Sequence, residues 1–131
     1  MIWAVDGPDS VGKTTALLEA VRDKNYAVYV HSSNWPGTAD NWLARLNAVD
    51  MLGLDTAMDR FFISEIVYSE FRSDAPLMTL TEAKDLLSMF RGRLYPEVWL
   101  PMGARGELYE LYEDVADDLK IPVRLVAPLS G

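Results

Sequence analysis

The stretch Gly7-Pro8-Asp9-Ser10-Val11-Gly12-Lys13-Thr14 constrains this chain more than any other. It fits the pattern G-x-x-x-x-G-K-[ST], with Gly7, Gly12, Lys13 and Thr14 at the required spacing. Its flanks suit the pattern. Ile2-Trp3-Ala4-Val5 is a short apolar run that reads as a buried strand, and Lys13 to Lys24 carries helical periodicity. Gly7 and Gly12 can take backbone angles closed to other residues, so the loop can wrap a phosphate with its N–H groups turned inward. The helix starting near Lys13 adds unpaired amides and its positive dipole end at the same spot. Lys13 is then placed to neutralise outer phosphates, and the Thr14 hydroxyl to hold magnesium. The whole run from Gly7 to Thr15 reads as one nucleotide-binding unit.

The 131 residues suit one domain, residues 1–131, with room for a real core. No apolar run approaches a membrane span, and the N-terminus enters a strand at once, with no signal peptide visible. The chain has no cysteine, which excludes disulfides and thiolate metal sites and fits a cytoplasmic protein. A net charge of -8 argues against a broad electrostatic grip on nucleic acid but leaves room for a small basic pocket.

Beyond the first helix, Tyr26-Ala27-Val28-Tyr29-Val30 reads as a second strand leading into a polar loop, His31 to Thr38. A helix is expected from near Asp40, with Trp42, Leu46 and Val49 inward and Gly53 as its stop. A short strand from Asp55 to Met58 leads into Asp59-Arg60, and a helix covers Phe62 to Arg72. Thr79-Leu80-Thr81-Glu82 is a capping-box match opening a helix to about Leu94. Glu97 to Pro101 reads as the fourth strand, Glu107 to Leu119 as the last helix and Val123 to Ala127 as the last strand. Strands alternating with helices imply a three-layer α/β fold of the phosphate-loop NTPase kind, with a mostly parallel five-stranded sheet.

Ligands of such sheets sit beyond the carboxyl ends of the strands. Asp9, the loop from His31 to Thr38, Asp59-Arg60 and Met102 to Arg105 all fall there. A charged pair directly after an apolar strand is poor core material. Arg60 can clamp phosphate oxygens bidentately, and Asp59 can organise magnesium or the attacking oxygen.

The run Asp59-Arg60-Phe61-Phe62-Ile63-Ser64-Glu65-Ile66-Val67-Tyr68 resembles the D-R-[YFW]-x-x-S-x-x-[AV]-[YF] segment of the thymidylate kinase and deoxynucleoside kinase group. The loop Gly7 to Thr15 is similar to the G-x-D-x-x-G-K-[ST]-T form of thymidylate kinases, and Trp35-Pro36-Gly37-Thr38 weakly resembles their E-P-G-x-T loop. The resemblance implies transfer of a phosphoryl group from ATP, with magnesium (Mg2+), to a deoxynucleoside monophosphate or related acceptor. It implies that Gly12, Lys13 and Thr14 hold the donor and that Asp9 meets the acceptor sugar. Arg60 would bridge the two phosphates, Arg45 would contact the acceptor, and Trp35 and Tyr68 would wall the base. Members of the group are often homodimers.

Two departures stand out. Only one helix fits between the second and third strands, and the arginine-rich lid is reduced to Pro101 through Gly106. Arg105 is its one obvious cation, with Arg91 and Arg93 as further candidates nearby. A short lid keeps open an acceptor larger than a mononucleotide, such as a nucleic-acid end or a modified base in DNA. From another class, a phosphate-loop ATPase or nucleotide switch remains an alternative.

Overall fold

The computed structural model describes residues 1–8, 11–23, 25–32 and 37–127. Its elements run β1 (Ile2–Asp6), α1 (Lys13–Arg22), β2 (Val28–His31), α2 (Ala39–Met51), β3 (Thr56–Asp59), α3 (Ile63–Phe71), α4 (Leu80–Met89), β4 (Leu94–Pro101), α5 (Glu107–Asp118) and β5 (Val123–Val126). The five strands form one sheet in the order β2-β3-β1-β4-β5, and every pairing is parallel. Parallel neighbours need crossovers, and the helices that supply them cover both faces in three layers.

Alternation along the strands assigns the faces. Ile2, Ala4, Met58, Val98 and Leu100 pack with Trp42, Leu46, Phe62, Leu86 and Tyr112 in the larger core, which joins the sheet to α2, α3, α4 and α5. Val5, Ala57 and Trp99 point the other way, against Val11 and Leu17 of the α1 region. The switch from β1 to β3 leaves the carboxyl end of β1 flanked by that of β3, with Val5 opposite Asp59. This juxtaposition positions the site.

Several boundaries move for identifiable reasons. The expected capping box is present in both halves: the Thr79 hydroxyl accepts from Glu82 N–H at 3.1 Å, and Glu82 accepts from Thr79 N–H at 2.9 Å. That helix stops at Met89 rather than near Leu94, because the chain turns through Gly92 at φ +84°. The fourth strand therefore begins at Leu94, three residues before the sequence expectation. Pro96 lies inside it opposite Ala4, and a proline with no N–H to give hides a strand from sequence reading. Tyr26, expected in β2, instead stacks on Trp3 with ring centroids 5.4 Å apart. Asp59 is the last residue of β3 rather than the first residue after it.

Candidate functional site

The site grows from the loop that leaves β1. Gly7 sits at φ +142°, and a Cβ there would run into the carbonyl oxygen of Trp99 on β4. Only glycine allows the chain to turn so close to the neighbouring strand. Gly12, at φ +80°, caps α1 without a side-chain hydrogen bond to the first amides of the helix. Lys13 is 5% exposed, and its Nζ reaches back to donate to the carbonyls of Gly7 at 3.2 Å and Pro8 at 2.7 Å. An ammonium drawn inward over a glycine loop is placed to meet an anion there. Val11 anchors the loop in the smaller core, whereas Thr15 faces outward from α1. Asp9 and Ser10 lie outside the described residues.

Thr14, in the first turn of α1, donates its hydroxyl to Asp59 Oδ2 at 2.5 Å, and the Tyr29 hydroxyl donates to the same oxygen at 2.8 Å. Asp59 is 1% exposed. Burial, then the bond to Asp59, pushes the Tyr29 hydroxyl pKa up to about 12. A carboxylate and a hydroxyl are hard oxygen donors of the kind magnesium takes, one or two from the protein and the rest from phosphates and water. Among the described residues no cluster of three or more His, Cys, Asp or Glu could hold a metal alone. The oxygen pair fits a cation that arrives with phosphates.

The next residue turns sharply. Arg60 holds φ +74°, a left-handed conformation uncommon outside glycine. It is fixed by its N–H bond to the Val5 carbonyl at 2.9 Å and by the Ser32 hydroxyl, which donates to the Arg60 carbonyl at 2.7 Å. Strain of this kind persists where surrounding structure over-determines it and clusters at functional sites. It carries Arg60 to a cavity of about 310 Å³. Ser32, Ser64, Glu65, Tyr68 and Arg72 line the same cavity, with Trp42 packed edge-on against Phe61 and Phe62 beside them.

Two features of the cavity wall are charged and paired. The Arg72 guanidinium lies 5.2 Å from the centroid of the Tyr68 ring, a cation–π contact. The Glu65 carboxyl is raised above its ordinary pKa by burial and by Asp6, against the opposing pull of Arg72. Gly37, at the end of the loop after β2, packs so closely on the Glu65 carboxylate that a Cβ there would collide with it.

Beneath both loop and cavity lies a buried polar chain. Asp6, at 0% exposure, accepts from Gly7 N–H at 2.9 Å, from Ser64 N–H at 2.7 Å and from the Ser64 hydroxyl at 2.5 Å. The Ser64 oxygen is also 2.8 Å from the Tyr112 hydroxyl. Burial raises the Asp6 carboxyl pKa, while the Ser64 and Gly7 bonds and the Lys13 charge oppose it.

The structure thus brings Gly7, Pro8, Gly12, Lys13, Thr14 and Asp59 together, with Arg60 and Tyr68 on the adjoining cavity. Arg45 lies on the exposed side of α2, one turn beyond Trp42, and is not among the cavity's lining residues. Arg105 is exposed in the turn between β4 and α5. Trp35 lies outside the described residues. Arg91 and Arg93 precede β4 and so sit at the amino end of that strand, away from the loop; Arg93 is paired with Asp50 at 3.0 Å. They do not supply the lid charge expected of them. Asp6, Tyr29, Ser32, Ser64, Glu65, Arg72 and Tyr112 were not singled out as site residues in the sequence; Ser32 falls within the His31 to Thr38 loop, and Ser64 and Glu65 within the Asp59 to Tyr68 run.

No protein-family model matches the chain, and no curated protein matches it. Among solved structures, the fold is similar to that of the YorR protein from Bacillus subtilis, crystallised in complex with phosphorylated GDP. The TM-score is 0.70 at 16% identity, covering 97% of this chain and 85% of YorR. The likeness is one of fold, a nucleotide-complexed α/β protein. Among the described residues no helix is long and apolar enough to cross a membrane.

Proposed function

We propose that this chain is a phosphate-loop nucleotide kinase of the thymidylate kinase-like group, with residues 1–131 acting as one kinase domain. The reaction moves the terminal phosphoryl group of ATP to a deoxynucleoside monophosphate. The observation that carries the reading is the hydrogen bond between Thr14 and Asp59, set between the Lys13 loop and a separate cavity carrying Arg60. A donor site and an acceptor site on either side of one oxygen pair is what two-substrate phosphoryl transfer needs. An ATPase or switch, acting on water, needs no such second cavity. That YorR was crystallised with a phosphorylated nucleotide adds support for nucleotide chemistry on this fold.

In this reading the glycine loop and Lys13 hold the donor's β- and γ-phosphates, and Thr14 with Asp59 would hold magnesium. The metal, when bound, offsets the negative charge of the phosphates. Arg60 faces the acceptor phosphate and the migrating group, bringing two anions together. An acceptor phosphate oxygen forms the new bond to the γ-phosphorus as the bond to the bridging oxygen breaks, releasing ADP. A phosphate dianion attacks without losing a proton, so the site requires no general base. Tyr68, with Arg72 against its ring, walls the acceptor.

The test is ADP release from ATP and magnesium across nucleosides, nucleoside monophosphates and short DNA. Stimulation by a monophosphate is the expected result. Stimulation by DNA alone would move the acceptor to the polymer, and ADP release that no acceptor stimulates would favour the ATPase.

A further inference from the structure

The buried face of α5 carries one hydroxyl into the polar chain that ends at Asp6. The buried residues of α5 are Tyr112, Val115 and Ala116, and Tyr112 is 0% exposed. A phenylalanine would fill the same space without bringing a hydroxyl into an apolar core, where an unpaired polar group is costly. The hydroxyl has a partner in Ser64, 2.8 Å away. Ser64 gives its own hydrogen to Asp6, so Tyr112 is the donor in that contact and the hydrogens run in one direction, Tyr112 to Ser64 to Asp6.

Both ends of this chain reach ligand-binding surfaces. At one end Asp6 holds the Gly7 amide, the first residue of the glycine loop. At the other, the Tyr112 ring meets the Tyr68 ring edge-on, with centroids 6.2 Å apart at 89°. Tyr68 lines the acceptor cavity and carries Arg72 on its face. Ser64, in the middle, lines that cavity as well. Of the contacts between helices, those of α3 with α5 are the most extensive, so this hydroxyl chain crosses the main helix interface above the sheet.

We propose that Tyr112 is a positioning residue for the transfer, its hydroxyl fixing Ser64 and Asp6 so that the donor loop and the acceptor cavity are held, and respond to ligands, as one unit. The inference rests on the kinase reading for the identity of the two ligands. A ligand in the cavity meets Tyr68 and Ser64 and a ligand on the loop meets Gly7, the two ends of one chain of bonds, so each ligand improves the site for the other. Linkage makes that effect reciprocal.

The experiment titrates the protein with a nonhydrolysable ATP analogue, alone and with each of the four deoxynucleoside monophosphates. Wild type, Tyr112→Phe, Ser64→Ala and the double variant are compared, each with its thermal midpoint. At least one monophosphate should tighten analogue binding by about fivefold or more in wild type, a modest coupling by general standards. The ratio should fall to about one in Tyr112→Phe, and the double variant should lose no more than Ser64→Ala, since both act in one chain. Should Tyr112→Phe be poorly folded, the ratio in Ser64→Ala decides in its place. A wild type without coupling, or a Tyr112→Phe that keeps the wild-type ratio, overturns the proposal. Coupled binding in a wild type that transfers no phosphoryl group contradicts the kinase reading alone, and the variants' ratios still decide the role of Tyr112.

Discussion

Thr14 Oγ1 and Asp59 Oδ2 lie 2.5 Å apart, one in the first turn of α1 and the other at the last position of β3. The sheet order β3-β1 sets this contact, because a loop leaving β1 and starting a helix must pass the carboxyl end of its neighbour. If the pair holds magnesium, Asp59→Asn retains the size of the side chain and loses its charge. Phosphoryl transfer should fall by about 10²–10³-fold, the range seen when one electrostatic stabiliser is removed. A magnesium titration of ADP release should show a raised half-saturation point. An unchanged magnesium requirement would remove Asp59 from the metal site.

Gly7 is confined by its φ of +142° and by the Trp99 carbonyl. Gly7→Ala adds a Cβ where backbone already stands and forces an unfavourable backbone angle. A destabilisation of about 2–4 kcal/mol is expected in urea unfolding, combining strain with overpacking. A variant as stable as wild type would show that the loop has another conformation available.

Arg60 offers the converse case. Its φ of +74° is a region glycine enters freely, so Arg60→Gly should relieve about 1 kcal/mol of backbone strain. It also deletes the guanidinium from the cavity that Arg60 lines. Stability should hold or rise while transfer drops by at least about 100-fold. Such an opposition between stability and activity marks a residue kept for function. Loss of both together would make Arg60 a structural ion-pair residue.

Glu65 gives a dependence on pH. Its carboxyl pKa is raised in the folded protein, chiefly by burial and then by Asp6. The folded state therefore holds this proton more tightly than the unfolded chain. The stability it contributes is full below the ordinary carboxylate range and is lost as pH rises through the folded value. Glu65→Gln should be more stable than wild type at pH 7, with the gap closing toward pH 4. Thermal midpoints across that range check the sign, and a gap that widens on acidification would contradict it.

The loop, the strand order in sequence and the charged pair at Asp59-Arg60 were legible because each is a local pattern. Glycine spacing, apolar runs and a capping box depend on residues a few positions apart. Asp6 was harder to read, since a carboxylate at the end of an apolar run looks like the start of a loop; its burial depends on Ser64, 58 positions away. Tyr112 reads simply as one more residue on an apolar helix face. Its hydroxyl partner is 48 positions distant, and nothing local reveals that bond. Arg72 looks like an ordinary helix end until the fold sets it over Tyr68. The expectation for Arg91 and Arg93 fails for the same reason in reverse, because they are close to Pro101 through Gly106 in sequence but stand across the length of β4 from them.

The most direct measurement follows the phosphoryl group itself. ATP labelled at the γ-phosphate is incubated with magnesium and each deoxynucleoside monophosphate, for wild type and for Lys13→Ala. Lys13 is the cation drawn over the glycine loop by the Gly7 and Pro8 carbonyls, so its removal should abolish transfer, and the thermal midpoint of the variant checks that the chain still folds. Label appearing in one nucleoside diphosphate in wild type and absent with Lys13→Ala is the result expected. Label found only as inorganic phosphate, whatever the acceptor supplied, would contradict a kinase.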